Sequence, residues 1–270
     1  MERVGLGWAA RAAHPALRQL VRRYVGYTQD NVTLPVHRGL PGRSITFIVS
    51  LAAPIRLLDG PAFQGVVGGL HMAPSLIEQD RYQQGLQLDL NPLGARALLG
   101  VPAKELAKDV VDLGDLPVTW AKTLPERLKD RGTWAERFDL LDEVLTHALK
   151  PVTLLSEVQW AWQRMVRSQG VTPVTELAGE VGWSRRHFTE RFAREVGLGP
   201  KQVSRLIRFE RGRDLLRAGH TLADVAALAG YYDQAHLSNE WRALAGCTPT
   251  EWIREELPFL QDITGPGRTE

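Results

Sequence analysis

The chain has very little cysteine: Cys247 is the only one among its 270 residues. A single thiol excludes an intrachain disulfide and any zinc site built from several cysteines, and it agrees with a reducing cytoplasm. Long apolar runs are missing too. None approaches the ~20 residues of a membrane-spanning helix, and no signal-peptide segment follows the first residues. We therefore expect a cytoplasmic protein with no part in a membrane.

Patterns that would indicate catalysis or metal binding are also missing. His14, His37 and His71 are scattered and lack the close spacing of a metal site. There is no Ser/His/Asp arrangement, no phosphate-binding glycine loop and no paired carboxylate. The doublet Gly68-Gly69 is more simply explained as a strand end or a bulge. We expect no metal, no cofactor and no enzymatic activity.

Charge is balanced overall but concentrated locally. The net charge is +2 for 270 residues, a length that allows two domains. Residues 185–217 hold ten basic and four acidic side chains, whereas the wider span 171–256 holds twelve of each. The cationic character is therefore a stripe and not a property of a whole domain, which is how a phosphate-contacting surface is distributed.

The first half of the sequence predicts a small β-rich unit followed by helices. Short β-branched and apolar runs, separated by glycine and proline, predict strands at 44–51, 63–70, 76–79 and 86–90. Helical patterns are predicted at 15–27, 95–99, 103–111, 118–129 and 133–149. Lys150-Pro151 ends the last of these and is the predicted domain boundary. It separates an N-terminal domain, 1–150, from a helical domain, 151–262, with a disordered tail at 263–270.

The helix at 133–149 carries an apolar stripe formed by Trp134, Phe138, Leu141 and Leu145. Two interpretations of this stripe stay open. It packs on the strands of its own domain, or it forms a helix–helix dimer that joins the C-terminal domains of two copies of the chain. In the second case an exposed flank would supply complementary charge across the two-fold axis. That flank consists of Glu136, Arg137, Asp142 and Glu143.

A repeat dominates the second half. The segment Leu177 to Trp183 is echoed by Val225 to Tyr231, and each copy continues into a helix-like run and a Gly-x-x-Pro. The second copy has one extra residue after its glycine. A short helix, a glycine turn and a second helix are the layout of a helix-turn-helix. We predict two units, at about 174–194 and 222–243, which present two recognition helices to one face of a DNA duplex.

Each predicted recognition helix has a cap, a buried pair and an outward face. Ser184 and Asp233 are the predicted N-caps. The buried pairs are Phe188 with Phe192, and Leu237 with Trp241. Arginine can pair with guanine, and glutamine or asparagine with adenine. The candidate DNA-contacting residues are Arg185, Arg186, Thr189, Glu190, Gln234, Ala235, His236, Asn239 and Arg242.

Residues 153–256 resemble the DNA-binding domain of AraC/XylS-type bacterial transcription regulators. The segments that carry this resemblance are Leu177-Ala178, Gly182-Trp183-Ser184, Arg191-Phe192, Arg208-Phe209-Glu210-Arg211, Gly230-Tyr231, Asp233-Gln234-Ala235-His236-Leu237 and Gly246-Cys247-Thr248-Pro249. The resemblance implies two helix-turn-helix units, joined by a long helix, in successive major grooves. It places the base-contacting residues at Arg186, Thr189, Glu190, Gln234, Ala235, His236 and Asn239. One departure is Asn239, where the family commonly has arginine.

The same resemblance implies the rest of the architecture. We expect an α+β protein with an N-terminal β-rich, cupin-like barrel and a helical pair, followed by an all-α double helix-turn-helix domain. Double-stranded DNA, a small-molecule effector, RNA polymerase and a second copy of the chain are the implied partners. Two other functions stay open: a DNA repair or modification enzyme that uses the module for targeting, and a protein-interaction module. Salt-dependent DNA binding would separate them from a regulator.

Overall fold

The computed structural model describes residues 7–256 and joins a β-rich N-terminal domain to a helical C-terminal domain. The strands are β1 (Gly7–Arg11), β2 (Val21–Gln29), β3 (Val36–Gly39), β4 (Ile45–Ser50), β5 (Ile55–Leu57), β6 (Ala62–Phe63), β7 (Gly65–Gly68), β8 (Ser75–Glu78), β9 (Gln83–Leu90) and β10 (Val110–Asp112). Single 3₁₀ turns lie at Pro15–Leu17, Pro92–Gly94 and Leu113–Asp115. The predicted tail 263–270 lies outside the described residues.

The helices divide between the two domains. They are α1 (Ala95–Leu99), α2 (Ala103–Leu106), α3 (Thr119–Lys129), α4 (Trp134–Ala148), α5 (Ser156–Arg167), α6 (Val174–Glu180), α7 (Arg185–Val196), α8 (Pro200–Arg217), α9 (Leu222–Leu228), α10 (Gln234–Ala245) and α11 (Pro249–Glu255). Among residues 7–256, no helix combines the length and the apolar character that crossing a membrane requires.

The strands form two antiparallel sheets. One has the order β1-β2-β9-β4-β7-β10 and the other the order β3-β8-β5-β6. This arrangement confirms the predicted α+β class with a β-rich first domain and a helical second one. The barrel part of the prediction holds only loosely, because β1 and β10 are the two edges of the larger sheet and do not pair with each other.

The predicted helix at 15–27 is wrong. Only Pro15–Leu17 forms a helical turn, and Val21–Gln29 is strand β2, which pairs with β1 and β9. The register with β9 shifts between Val21 and Tyr24. This bulge places two buried side chains three residues apart, a spacing that imitates a helix. The sequence pattern therefore gave the wrong period.

The predicted helix at 103–111 is too long. Helix α2 ends at Leu106, Lys108 adopts a left-handed φ of 69°, and Val110–Asp112 becomes strand β10. This strand pairs with β7 at the edge of the larger sheet. Pairing with β7 at the sheet edge outweighs the local helical preference of residues 110–112. Tertiary pairing of this kind commonly turns a short apolar run into a strand.

The apolar stripe on α4 belongs to the core of its own domain. Phe138, Leu141 and Leu145 are at most 3% exposed, and Phe138 stacks on Tyr24 of β2 with ring centroids 5.8 Å apart. Trp134 packs beside them over Gly26. The dimer interpretation of this stripe is therefore wrong, because the side chains that it needs on the surface are buried.

The predicted charged flank of α4 is corrected as well. Arg137 is buried, its Nε donates to the carbonyl of Leu128 at 3.2 Å, and its guanidinium lies over the ring of Trp134. Burial lowers the pKa of this arginine. Glu136 closes a capping box with Thr133, and Glu143 lies 3.6 Å from Arg127. These side chains are used within the domain and do not form a free self-complementary surface.

Asp142, the fourth member of that flank, gathers three donors from the N-terminal strands. Its carboxylate accepts from the Arg11 guanidinium at 2.7 Å, from the backbone N–H of His14 at 2.8 Å and from the Tyr24 hydroxyl at 2.7 Å. Burial, with this hydrogen bond, raises the pKa of Tyr24 above its ordinary value, so the phenol stays a donor. One carboxylate thus fastens α4 to the first two strands.

Two further carboxylates fasten the helical domain to the β-rich domain. Glu210 of α8 accepts from the backbone N–H of Arg43 at 3.0 Å and pairs with its guanidinium at 3.1 Å. Glu256, fully buried just after α11, accepts from the Arg38 backbone N–H at 2.9 Å and from its guanidinium at 3.2 Å. Its other oxygen lies 2.7 Å from His37 Nδ1.

A close backbone approach forms the second part of this junction. Gly197 ends α7 with a left-handed φ of 94°, and a Cβ at this position would lie 2.9 Å from the Ala103 carbonyl oxygen of α2. Any other residue would push the two helices apart. Arg96 of α1 lies 3.6 Å from Glu195 on the last turn of α7. The C-terminal end of α7 is therefore held by the N-terminal domain.

We predict that Asp142→Ala lowers the free energy of unfolding by about 1–3 kcal/mol, because it leaves the Tyr24 hydroxyl and the His14 amide without their acceptor and leaves Arg11 with Asp139 alone. Urea unfolding followed by circular dichroism measures the change. The matched control is Asp139→Ala, which removes an Arg11 partner whose side chain is 72% exposed and should cost less than about 1 kcal/mol. Equal effects of the two substitutions would contradict the assignment.

Glu256→Gln should loosen the junction while each domain stays folded, because an amide nitrogen would face donors that the carboxylate now satisfies. We expect amide exchange over residues 36–43 to accelerate by about tenfold, measured by hydrogen–deuterium exchange. Glu255→Gln is the control, since the Glu255 side chain is 37% exposed and Arg38 would keep Glu256. Unchanged exchange in Glu256→Gln would show that the carboxylate does not hold the domains together.

Candidate nucleic-acid interface

The first helix-turn-helix unit consists of α6, a glycine turn and α7. The turn passes through Gly182 with φ 71°, which suits glycine because no Cβ has to be accommodated. Ser184 caps α7, its hydroxyl accepting from the His187 backbone N–H at 3.3 Å. Phe188 and Phe192 are fully buried and contact each other, with centroids 5.6 Å apart and the ring planes tilted by 51°. The opposite side of α7 is thereby turned outward.

The second unit, α9 with α10, repeats this geometry. Gly230 has φ 75°, and Asp233 caps α10, its carboxylate accepting from the His236 backbone N–H at 2.7 Å. Leu237 and Trp241 are fully buried. Trp241 lies between Phe209 of α8 and Trp252 of α11, at centroid distances of 4.7 and 5.4 Å. An aromatic cluster thus fixes the orientation of α10.

The outward-facing residues of α7 and α10 occupy the same positions when each helix is numbered from its N-cap, Ser184 or Asp233. The first, second and sixth residues after the cap are Arg185, Arg186 and Glu190 in α7, and Gln234, Ala235 and Asn239 in α10. All six side chains are exposed. The fifth residue is Thr189 or Ser238, and each hydroxyl donates to the carbonyl four residues earlier, at 2.8 and 2.9 Å. The two helices therefore expose the same positions after the N-cap but carry different side chains at them.

The face of α7 carries an arginine that is already oriented. The Arg186 side chain is 90% exposed, and its Nε donates to Glu190 at 3.0 Å across one helical turn. This bond restricts the guanidinium and leaves its terminal nitrogens free to pair with guanine. Thr189, half-buried, uses its hydroxyl proton on the backbone, so its methyl group remains for an apolar contact such as a thymine methyl.

The face of α10 is an amide surface. Asn239 Oδ1 accepts weakly from Arg242 at 3.4 Å, and its amide nitrogen is left to donate. Gln234 and Ala235 are exposed at the start of the helix. His236 is half-buried: its Nδ1 accepts from the Tyr232 backbone N–H at 3.3 Å, and its ring stands edge-on to Tyr231. Within the candidate set, His236 thus also holds the turn.

Several residues of this surface were not among the candidate DNA-contacting residues predicted from the sequence. His187 takes the place of His236 in the first unit and stands edge-on to Trp183, at 4.9 Å between centroids; counting from the caps would have found it. Two arginines of α8 hold the second turn, Arg211 donating to the Leu228 carbonyl at 2.6 Å and Arg208 to that of Gly230 at 3.2 Å. Arg164 of α5 pairs with α6 instead, at 3.3 Å from Glu176.

Other chemistry finds little support around these helices. In the described range 7–256, no three histidine, cysteine, aspartate or glutamate side chains gather as metal ligands would. Cys247, just beyond α10, is buried, and burial raises the pKa of its thiol. A thiol in this state is a poor nucleophile at neutral pH. Burial likewise raises the pKa of Tyr231 to about 12, so this ring stays neutral.

Known proteins match this part of the chain. Residues 177–255 match a protein-family profile described as a helix-turn-helix domain. YbfI of Bacillus subtilis (strain 168), described as an uncharacterized HTH-type transcriptional regulator, is 29% identical over 107 residues, 36% of this chain and 38% of that protein. A second HTH-type regulator, from Staphylococcus aureus (strain MRSA252), is 27% identical over 90 residues, 33% of this chain and 12% of that protein. The chain thus spans well under half the length of these relatives.

A solved structure resembles most of the chain in fold. ToxT from Vibrio cholerae superposes with a TM-score of 0.51 over 92% of this chain and 98% of that one, at 11% sequence identity. This likeness concerns the fold: a β-rich domain followed by a helical one. Taken with the two capped units, the profile match shows that the C-terminal domain is a helix-turn-helix domain, similar in sequence to those of HTH-type transcriptional regulators.

Proposed function

We propose that this chain is a sequence-specific DNA-binding transcription regulator that acts in the cytoplasm without an enzymatic step of its own. The observation that carries the proposal is the matched pair of capped helices, α7 and α10, whose residues at equivalent positions after the cap are exposed and, apart from Ala235, polar or charged. A helical bundle with a purely structural role would not require the same N-cap, glycine turn, buried pair and exposed face in two copies. Double-stranded DNA is the proposed partner, with the two helices in successive major grooves.

The charge distribution supports phosphate contacts beside these helices. Basic side chains exceed acidic ones over residues 185–217, and the exposed Arg185, Arg186 and Arg194 all lie on α7. In the second unit the outward start of the helix is uncharged. We therefore propose that α7 supplies most of the electrostatic attraction and that the amides of α10 discriminate adenine-containing steps.

The N-terminal domain is the proposed control element. A groove of about 430 Å³ lies where it meets α5, walled by Leu20, Leu93, Trp162 and Val166. This volume is within the range of small-ligand sites. It favours a small-molecule effector over a dimer through α4, whose apolar stripe is buried. An effector bound there would touch both domains at once and bias their relative position.

A DNA repair or modification enzyme is the second candidate, and the surroundings of Cys247 weigh against it. Methyl-transfer repair needs an accessible, activated thiolate. Here the thiol is buried beside Arg38, Glu251 and Glu256, and desolvation outweighs the arginine. We propose that Cys247 fills the core where the two domains meet.

Selection of bound sequences from random DNA provides the test, and Arg186→Ala provides its sharpest variant. We expect this substitution to cost about 1–3 kcal/mol on the selected duplex and to relax preference at one or two base pairs. Fluorescence anisotropy on selected and random duplexes measures both effects. The control is Arg194→Ala, in the last turn of α7, which should act equally on the two duplexes. Equal loss for Arg186→Ala would mean that Arg186 contacts phosphate only.

Footprinting tests whether both units bind. We expect protection of two major-groove segments about one helical turn, ~10 bp, apart. Asn239→Ala should weaken one segment, and Glu190→Ala, at the equivalent position of α7, should weaken the other. If one segment alone were protected, and neither Asn239→Ala nor Gln234→Ala altered it, the second unit would not be in contact with bases.

A further inference from the structure

The one-residue difference between the two units has a definite location. In the first unit the turn glycine is followed by Trp183 and then by the cap, Ser184. In the second, Tyr231 takes the place of Trp183, and Tyr232 stands between it and the cap, Asp233. The ring contacts agree with this alignment, because Trp183 meets His187 and Tyr231 meets His236, each histidine being three residues after its cap. Tyr232 is therefore the inserted residue.

The inserted side chain points into solvent. Tyr232 is 93% exposed, the highest value among the exposed large hydrophobic side chains of the described residues, the next being Val171 at 61%. Its ring makes no stacking contact, and its hydroxyl has no hydrogen-bond partner among residues 7–256. Such exposure contributes nothing to the stability of the fold. It places an aromatic ring and a hydrogen-bond donor directly beside the N-terminus of α10.

The backbone that presents this ring is held firmly. Arg208 and Arg211 donate to turn carbonyls on the N-terminal side of Tyr232, and its own N–H donates to His236. Arg208 also lies over the Tyr231 ring, 5.5 Å from its centroid. The position of Tyr232 is thus fixed while its side chain is free, which is the state of a residue prepared for an external contact.

The chemistry of the neighbouring positions indicates what that contact is. The first unit begins its recognition helix with Arg185 and Arg186, both able to bind phosphate. The second begins with Gln234 and Ala235 and has no basic side chain there, the neighbouring charge being the Asp233 carboxylate that caps the helix. A tyrosine is one of the side chains that donate to phosphate oxygens, and its ring can pack on a deoxyribose.

We propose that Tyr232 is a DNA-backbone positioning residue: its hydroxyl donates to a phosphate beside the second major-groove segment and its ring packs on the adjoining sugar, which sets the depth of α10. This proposal rests on the DNA-binding function proposed above. Tyr232 takes over, in the second unit, the phosphate anchoring that Arg185 gives to the first.

The test compares Tyr232→Ala and Tyr232→Phe on the duplex selected by the wild-type chain and on a random duplex. Tyr232→Ala should weaken both complexes by about tenfold, and Tyr232→Phe, which loses the hydroxyl alone, by about fivefold. The slope of log affinity against log salt should not change, since no charge is removed, whereas Arg185→Gln should reduce it by about one. Thermal unfolding should match the wild type, and Tyr82→Ala, a 40% exposed tyrosine of the N-terminal domain, should bind normally.

Ethylation interference locates the contact. One phosphate at the second segment should block the wild type when ethylated and have no effect on Tyr232→Ala. Unchanged affinity or an unchanged interference pattern would overturn the role of Tyr232 and leave the proposed function standing. A loss confined to the selected duplex would also overturn it, by making Tyr232 a base contact. A wild type that binds no duplex would refute the proposed function, and this inference with it.

Discussion

Two buried carboxylates of the helical domain depend on the β-rich domain for their hydrogen bonds, and the relative position of the two domains depends on them. Glu210 lies within α8, the helix that joins the two units, and Glu256 follows α11. Residues 37–43 supply the donors for both. A buried carboxylate that loses its partner is costly. Residues 37–43 thus contact α8, the helix that joins the two units, directly.

The two helix-turn-helix units have the same backbone arrangement but carry different side chains on their exposed faces. Cap, glycine turn and buried pair are the same, so each helix presents equivalent positions after its cap. The first helix fills them with arginine and glutamate, and the second with amides and alanine. In the second unit the turn is braced by Arg208 and Arg211 of α8 and carries the exposed Tyr232. A duplex bound by both would meet several arginines at one segment, and mainly amides with the single Arg242 at the other.

The sequence alone predicted the double helix-turn-helix well, because its signals are local. Turn glycines at Gly182 and Gly230, and apolar pairs four residues apart, depend on near neighbours only. Strand β2 was missed because a bulge changes its period, and β10 because its pairing with β7 lies outside any local window. The junction was not predictable at all: Arg38 and Glu256 are 218 positions apart, and Arg43 and Glu210 are 167 apart. Their pairing follows from the docked domains, which no sequence pattern specifies.

We propose that the chain recognises DNA by sequence through two helix faces that contact bases. The most direct measurement is the affinity of the full chain for its selected duplex and for random duplex, titrated over a range of salt concentrations. We expect the affinity for the selected duplex to exceed that for the random duplex by at least about 10³ at physiological salt. We also expect the logarithm of the affinity to fall linearly with the logarithm of the salt concentration for both duplexes, because both make phosphate contacts. Equal affinity for the two duplexes, or binding that does not respond to salt, would contradict this proposal.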